Sequence, residues 1–302
     1  MLVAGGAGFI GTHLTRALLL AGADVAVVDN LSTGDPAPCA DRLTIADIAD
    51  LDHLPIAADV IFNLACPASP RAYQADPVQT WRTSVLGTWA LARLALTAGA
   101  RIVQASTSEV YGDPLEHPQV EDYHGNVALT GPRACYDEGK RAAEVLLYDL
   151  ARTRGLDIRV ARIFNTYGPG MARGDGRALP AFVQAALTGA PLQLQGGGTQ
   201  TRSFCHVDDT VRGLMALAMS DKARGLPVNL GNPQERTIRQ AAEMVLRLTA
   251  SASPMVKVGA ADHDPRRRCP DITRARALLG WEPRVSFEDG LRSMIRDFAA
   301  QA

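Results

Sequence analysis

At 302 residues and 47% hydrophobic content, the chain is long enough for one large or two intimate domains and apolar enough to bury a core. Lys plus Arg number 31 against 32 Asp plus Glu, a net charge of −1, so no broad field draws the molecule to nucleic acid or to an acidic membrane. The five cysteines are odd in number and form no C-x-x-C pair, which argues against a metal framework or a disulfide scaffold and for reduced thiols in the cytoplasm.

The chain opens on a very short apolar run, Leu2-Val3-Ala4, and passes directly into Gly5-Gly6-Ala7-Gly8-Phe9-Ile10-Gly11. No charged and apolar leader precedes it and no apolar run reaches membrane-span length, so a cytoplasmic protein is expected. The brevity of the first strand leads us to expect a start upstream of Met1. His13 to Ala21 reads as a helix with Leu14, Leu18 and Leu19 on one face, and Val25 to Val28 as a buried strand ending at Asp29. Strand, glycine turn, helix, strand and acid together predict a dinucleotide site. Glycines let the backbone approach a pyrophosphate, and the helix N-terminus supplies N–H donors and the positive end of its dipole. Asp29, about 18 positions after Gly11, is where a carboxylate accepts ribose hydroxyls. Asn30 follows it instead of an arginine, which favours NAD over NADP.

Strand and helix then alternate. Leu43 to Ala46 leads to Asp47, which reads equally as an adenine contact or as a helix N-cap. Val60 to Ala65 is the next strand, and Cys66-Pro67-Ala68-Ser69-Pro70 a loop over the nicotinamide side. One long helix is predicted from about Pro77 to Ala98, a strand over Arg101 to Ala105, a Pro/His-rich loop over 113–130, a helix to about Arg154 and a strand at Ile158 to Arg162. This alternation, with right-handed crossovers, predicts an α/β fold with a doubly wound parallel sheet. After Phe164-Asn165 the glycines and prolines increase. We expect a nucleotide-binding domain over 1–164 and a smaller substrate domain over 165–302, with 207–231 rejoining the first through a strand near Val228.

Tyr136 stands four residues before Lys140 at the head of the later helix, so phenol and ammonium share a face one turn apart. A phenol of pKa about 10 is a poor base at neutral pH, and a nearby cation favours its phenolate. Such a group takes a proton from an alcohol while hydride leaves the same carbon. Ser106-Thr107-Ser108-Glu109 ends the preceding strand, at the edge of a doubly wound sheet that faces the ligand crevice. Thr107 is the expected partner that holds the alcohol, although the same residues also read as strand terminators and caps.

These motifs resemble the extended short-chain dehydrogenase/reductase family, in its sugar-nucleotide-modifying branch with a Rossmann sheet. The longer blocks, Asn63 to Pro70, Ala105 to Pro114, Gly131 to Arg141, Ala161 to Pro169, Gln200 to Phe204 and Pro270-Asp271-Ile272, are similar to the UDP-glucuronate decarboxylases of that branch nearly end to end. The resemblance implies NAD as cofactor, a UDP-sugar substrate, no metal and a homodimer formed by the helices near 80–98 and 136–154. It implies oxidation at C4, loss of the C6 carboxylate as CO2, and reduction back at C4 to UDP-xylose. In this scheme Tyr136 is the base, Thr107 orients the C4 oxygen, and Lys140 lowers the Tyr136 pKa and holds the nicotinamide ribose. Glu109 works at C5 through water, Ser108 helps hold the carboxylate, and Arg268 recognises it by a bidentate pair. The cofactor set so implied is Gly5, Gly8, Phe9, Ile10, Gly11, Asp29, Asn30, Thr33, Asp47, Ile48, Leu64 and Ala65 with Tyr136 and Lys140. The substrate set is Pro67, Arg71, Asn165, Gln195, Arg202 and Arg268. Gln195 and His206 stand where the relatives carry tyrosines, which locates the divergence near the base. By its residues alone Arg268 reads as a surface arginine within the Arg266-Arg267-Arg268 run. Two other readings stand beside the decarboxylase: a 4-epimerase of a nucleotide-linked uronic acid, and an NAD-binding sensor without turnover.

Overall fold

The computed structural model describes residues 1–51, 58–259 and 267–301, so Arg266 of the arginine run lies outside the described residues. Seven parallel strands form the central sheet. The first six in chain order are β1 (Leu2–Ala4), β2 (Ala26–Asp29), β3 (Leu43–Ile45), β4 (Val60–Asn63), β5 (Arg101–Thr107) and β6 (Asp157–Ile163). The seventh, Pro227–Leu230, lies outside β6, and the order across the sheet from it is β6, β5, β4, β1, β2, β3. The strand order therefore reverses between β1 and β4, which opens a crevice at their carboxyl ends.

The strands read as near-continuous apolar runs because helices cover both faces. Successive side chains alternate between them. Val3, Val27, Phe62 and Val103 pack with Leu14 and Leu18 of α1 (Phe9–Leu20) and with Leu214 and Leu217 from the later helix Val207–Met219. Leu2, Val28, Ile61 and Ile102 pack on the opposite face with Leu91, Leu147 and Leu150. α1 starts at Phe9, four residues before the predicted start, because Gly8 serves as its N-cap and the turn feeds straight into the helix.

The run predicted as one helix over 77–98 is three joined pieces after a short α2 (Pro70–Ala75). These are α3 (Pro77–Arg82), a π-helical turn (Thr83–Gly87) and α4 (Thr88–Ala98). Gly87 sits at the end of the π turn against Ile48, with no room there for a side chain. A π turn is a local rearrangement of the hydrogen-bond ladder, for which hydrophobic periodicity carries no signal. The catalytic-helix candidate, α5 (Ala134–Arg154), packs on α3 and the π turn and ends at Gly155 in the left-handed region.

The rest of the second half carries its own apolar cluster, including Tyr167, Phe182, Leu192, Phe204, Val245, Leu291 and Phe298. Three small two-stranded sheets frame it: Leu192–Gln195 with Met255–Val258, Thr201–Ser203 with Glu235–Thr237, and Thr166–Tyr167 with Cys205–His206. Among the described residues no helix is long and apolar enough to cross a membrane.

Candidate active site

The ends of β1, β2, β4 and β5 open into one cavity of about 1310 Å³ that continues onto the second-half cluster. Gly5 ends β1 with φ +77°, and a Cβ there would lie 2.6 Å from the backbone nitrogen of Ala65. A Cβ on Gly11 would lie 2.1 Å from the Gly5 carbonyl oxygen. The first helical turn is thus laid against the strand end, with its N–H groups facing the cavity, which is the cradle a pyrophosphate needs. Asp29 is buried at the end of β2. Its carboxylate accepts the Ala7 N–H at 3.0 Å and the Leu31 N–H at 2.8 Å, so it organises the glycine turn as well as lining the cavity. The residues fit a dinucleotide.

Asp47 lines the cavity and also acts as a cap. Its Oδ1 accepts the Ala49 N–H at 2.8 Å at the head of the Ile48–Asp50 turn, and its Oδ2 accepts Asn30 Nδ2 and Gln79 Nε2, both at 2.8 Å. Phe9, Ile10, Thr33, Ile48 and Leu64 share the cavity wall with Gly8 and Asn30. Pro67, Arg71, Asn165, Gln195 and Arg202 line its far part. Arg71 donates to the Gly174 carbonyl at 3.3 Å, and the buried Arg202 donates to the Thr201 carbonyl at 2.7 Å. His206 does not line the cavity. It is 4% exposed, caps Val207–Met219 through Nδ1, and meets Tyr167 edge to face, so its departure from tyrosine concerns packing. Burial lowers its pKa, outweighing the attraction of Asp208.

The reacting end lies where β5 meets α5. Thr107 accepts the Glu109 N–H at 3.2 Å, so it caps the Ser108–Tyr111 turn, and its side chain lies beside the Tyr136 phenol. The cap role anticipated for this hydroxyl is present, and Thr107 lines the cavity. Beneath it Ser106 donates to Glu144, and Arg162 grips the same carboxylate through Nε at 3.1 Å and Nη2 at 2.8 Å. This buried, paired network fixes the end of β5 relative to α5.

Burial pushes the Tyr136 phenol well above its ordinary pKa; the Cys66 thiol adds to this and the Thr107 hydrogen bond opposes it. Lys140, expected to lower the Tyr136 pKa, does not offset this burial in the structure. Its ammonium lies 5.9 Å from the Tyr136 ring centroid and donates to the Ala105 carbonyl at 2.9 Å, so desolvation wins.

Arg268 lines the cavity and is already paired. The side chain expected to face a substrate carboxylate holds one of its own chain: both terminal nitrogens fork onto the two oxygens of Glu109. Arg133 Nη2 also donates to Glu109 Oε2 at 2.5 Å. A buried carboxylate needs such partners. Burial drives the Glu109 carboxyl up, but Arg268 and Arg133 outweigh it and hold the pKa below the usual range. Asp137, 3.8 Å from Arg133 Nε, goes the other way: burial and then the Glu109 charge push it up to about 7.

Two residues at this end were not anticipated. Arg133 reads in sequence as a polar residue ahead of a helix. Tyr73 on α2 stacks on Tyr136 with ring centroids 5.1 Å apart and planes 11° apart, and its buried hydroxyl has no hydrogen-bond partner. Both line the cavity. The Gly131-Pro132-Arg133 turn was a signal for the first; no local signal marks the second, which comes from a segment 63 positions away in the chain (136 − 73).

The model of the NAD dependent epimerase/dehydratase family matches residues 1–231. UDP-glucuronic acid decarboxylase 5 of Arabidopsis thaliana is 48% identical over 304 residues, covering 99% of this chain and 89% of that protein. UDP-glucuronic acid decarboxylase 1 of Xenopus tropicalis is 46% identical over 303 residues, covering 99% of this chain and 72% of that protein. Among solved structures, MoeE5 in complex with UDP-glucuronic acid and NAD superposes with a TM-score of 0.87 at 29% identity, covering 100% of this chain and 99% of that one.

Proposed function

The chain belongs to the NAD dependent epimerase/dehydratase family, and on that premise we propose that it converts UDP-glucuronate to UDP-xylose and CO2, with NAD restored in each cycle. The observation that carries this reading is near-full-length similarity, at 46–48% identity, to proteins named UDP-glucuronic acid decarboxylase. The geometry supports it, because base, hydroxyl, carboxylate and two arginines converge at one end of the cavity.

In the proposed cycle Thr107 orients the C4 oxygen and Tyr136 takes the C4 hydroxyl proton. NAD held on the glycine turn and Asp29 would supply the hydride acceptor for C4 oxidation and the hydride donor for C4 reduction. The C4 ketone so formed lies β to the C6 carboxylate. As the C5–C6 bond breaks, its electrons delocalise onto the C4 oxygen, where Thr107 and Tyr136 donate to the enolate. Glu109, kept ionised by Arg268 and Arg133, orients the water that protonates C5; the hydroxide left behind takes a proton from solvent, which is the one proton the decarboxylation consumes. Tyr136 then returns its proton to the C4 oxygen. The Arg268 fork already accommodates a carboxylate and, with Arg133, supplies the positive charge that draws the uronate to this end.

A 4-epimerase would leave the C6 carboxylate in place and give a product of unchanged mass. A sensor would bind NAD and make no product. The mass of the nucleotide product formed from UDP-glucuronate separates all three; loss of CO2 is expected. A homodimer in the cytoplasm completes the reading. Its support is the exposed apolar Val78, Trp81 and Leu86 on the α3–π run with Val145 on α5. Light scattering at twice the chain mass is the expected result, and a monomer at micromolar concentration would remove it.

A further inference from the structure

We propose a second site, outside the catalytic cavity, that binds a zinc-like divalent cation through His117, Glu235 and Cys269. The three come from separate segments: the loop after β5, the Glu235–Thr237 strand and the stretch leading to the helix Thr273–Leu279. No sequence spacing joins them, which is why the cysteines read as unpaired thiols. In the folded chain one donor atom from each lies within 4.8 Å of the others. His117 Nε2 is 2.9 Å from Glu235 Oε2. Around tetrahedral zinc, with Zn–N and Zn–O near 2.0–2.2 Å and Zn–S near 2.3 Å, donor pairs stand about 3.3–3.6 Å apart. Taking the ion therefore requires the 2.9 Å His–Glu edge to open and the Cys269 sulfur, within 4.8 Å of both partners, to sit at bonding distance; a fourth position is left for water. Imidazole, carboxylate and thiolate together select zinc-like ions over magnesium or calcium, which take all-oxygen sites.

The donors are held by neighbours of the kind that orient metal ligands. Glu235 Oε1 accepts the Thr201 hydroxyl at 2.6 Å, which leaves Oε2 for His117 and an ion. Gln119 ties the other two segments together: its N–H donates to the Cys269 carbonyl at 2.8 Å, and its side-chain oxygen accepts the Cys269 N–H at 2.8 Å. The buried Ser203 hydroxyl lies beside the Cys269 thiol and has no partner that satisfies hydrogen-bond geometry. The Cys269 thiol donates to the Pro233 carbonyl at 3.3 Å, a hydrogen bond that is given up when the sulfur takes an ion. The site is also open on one side: the His117 and Glu235 side chains are 30% and 27% exposed, while Cys269 is buried.

Binding replaces the thiol proton, which leaves to solvent as the sulfur–metal bond forms. A thiolate, a carboxylate and a neutral imidazole then balance the double charge of the ion.

The test uses the full chain, stripped with a chelator and titrated with cobalt(II) and zinc(II) alone. One equivalent of cobalt is expected to bind with a thiolate-to-metal charge-transfer band, and zinc to displace it. Cys269→Ser should abolish the band, and His117→Ala, at an exposed position, should weaken zinc binding at least tenfold. A band that survives Cys269→Ser places the ion on another cysteine and overturns the proposal. Should Cys269→Ser fail to fold, unchanged zinc affinity in His117→Ala overturns it equally.

Discussion

Tyr136→Phe is expected to cut turnover by about 10²–10⁴-fold, the usual worth of a positioned acid–base group, while NAD binding remains measurable. The substitution removes one oxygen. The ring keeps its stack on Tyr73 and its place in α5, so the cavity wall is preserved. What disappears is the acceptor for the C4 hydroxyl proton, and without it the alcohol does not give up its hydrogen. Rapid mixing with UDP-glucuronate should therefore show no transient reduced cofactor. Turnover near the wild-type rate would mean that another group is the base. Tyr73 is the first to examine, because its hydroxyl is buried and unpartnered.

Glu109→Gln is expected to lower turnover by a comparable factor of about 10²–10⁴ with the opposite signature. The amide keeps the shape of the side chain and loses its charge. Oxidation at C4 belongs to Tyr136 and Thr107, so it proceeds. Protonation at C5 depends on the ionised carboxylate and its water, so it slows, and reduced cofactor should accumulate. The charge of Arg268 is left partly unpaired, and breaking a buried pair costs about 3–5 kcal/mol when no other partner remains. A lower melting temperature is thus expected as well, and stability should be measured beside the rate. Loss of activity without accumulation of reduced cofactor would move Glu109 from C5 protonation to the first oxidation.

The contrast rests on features that were unequally visible in the chain. The glycine turn, Asp29 and the Tyr136–Lys140 pair follow from spacing, because each is a local pattern whose geometry a single strand or helix dictates. Thr107 was found in the same way, as the end of a strand. The partners of Glu109 were not. Arg268 lies 159 positions away and was expected to meet a substrate, yet it meets Glu109, since a buried carboxylate has to be paired before any ligand arrives. The pKa of Tyr136 was misjudged for a related reason: the sequence shows its cationic neighbour and hides the burial that outweighs it. His206 was marked as a change in the nucleotide pocket and is a helix cap, and Asp47 is a cap that also lines the cavity. Caps and ligand contacts use the same polar residues at strand ends, so the chain alone does not separate them.

The most direct test of the central claim, that oxidation is temporary and the lasting change is at C6, is the ratio of CO2 released to NAD supplied. The protein is incubated with UDP-glucuronate labelled at C6 and a small, substoichiometric amount of NAD. Labelled CO2 in large excess over the cofactor, with a UDP-pentose product and no net reduced cofactor, is the predicted result. Turnover that yields an isomer of unchanged mass and no labelled CO2 would contradict it.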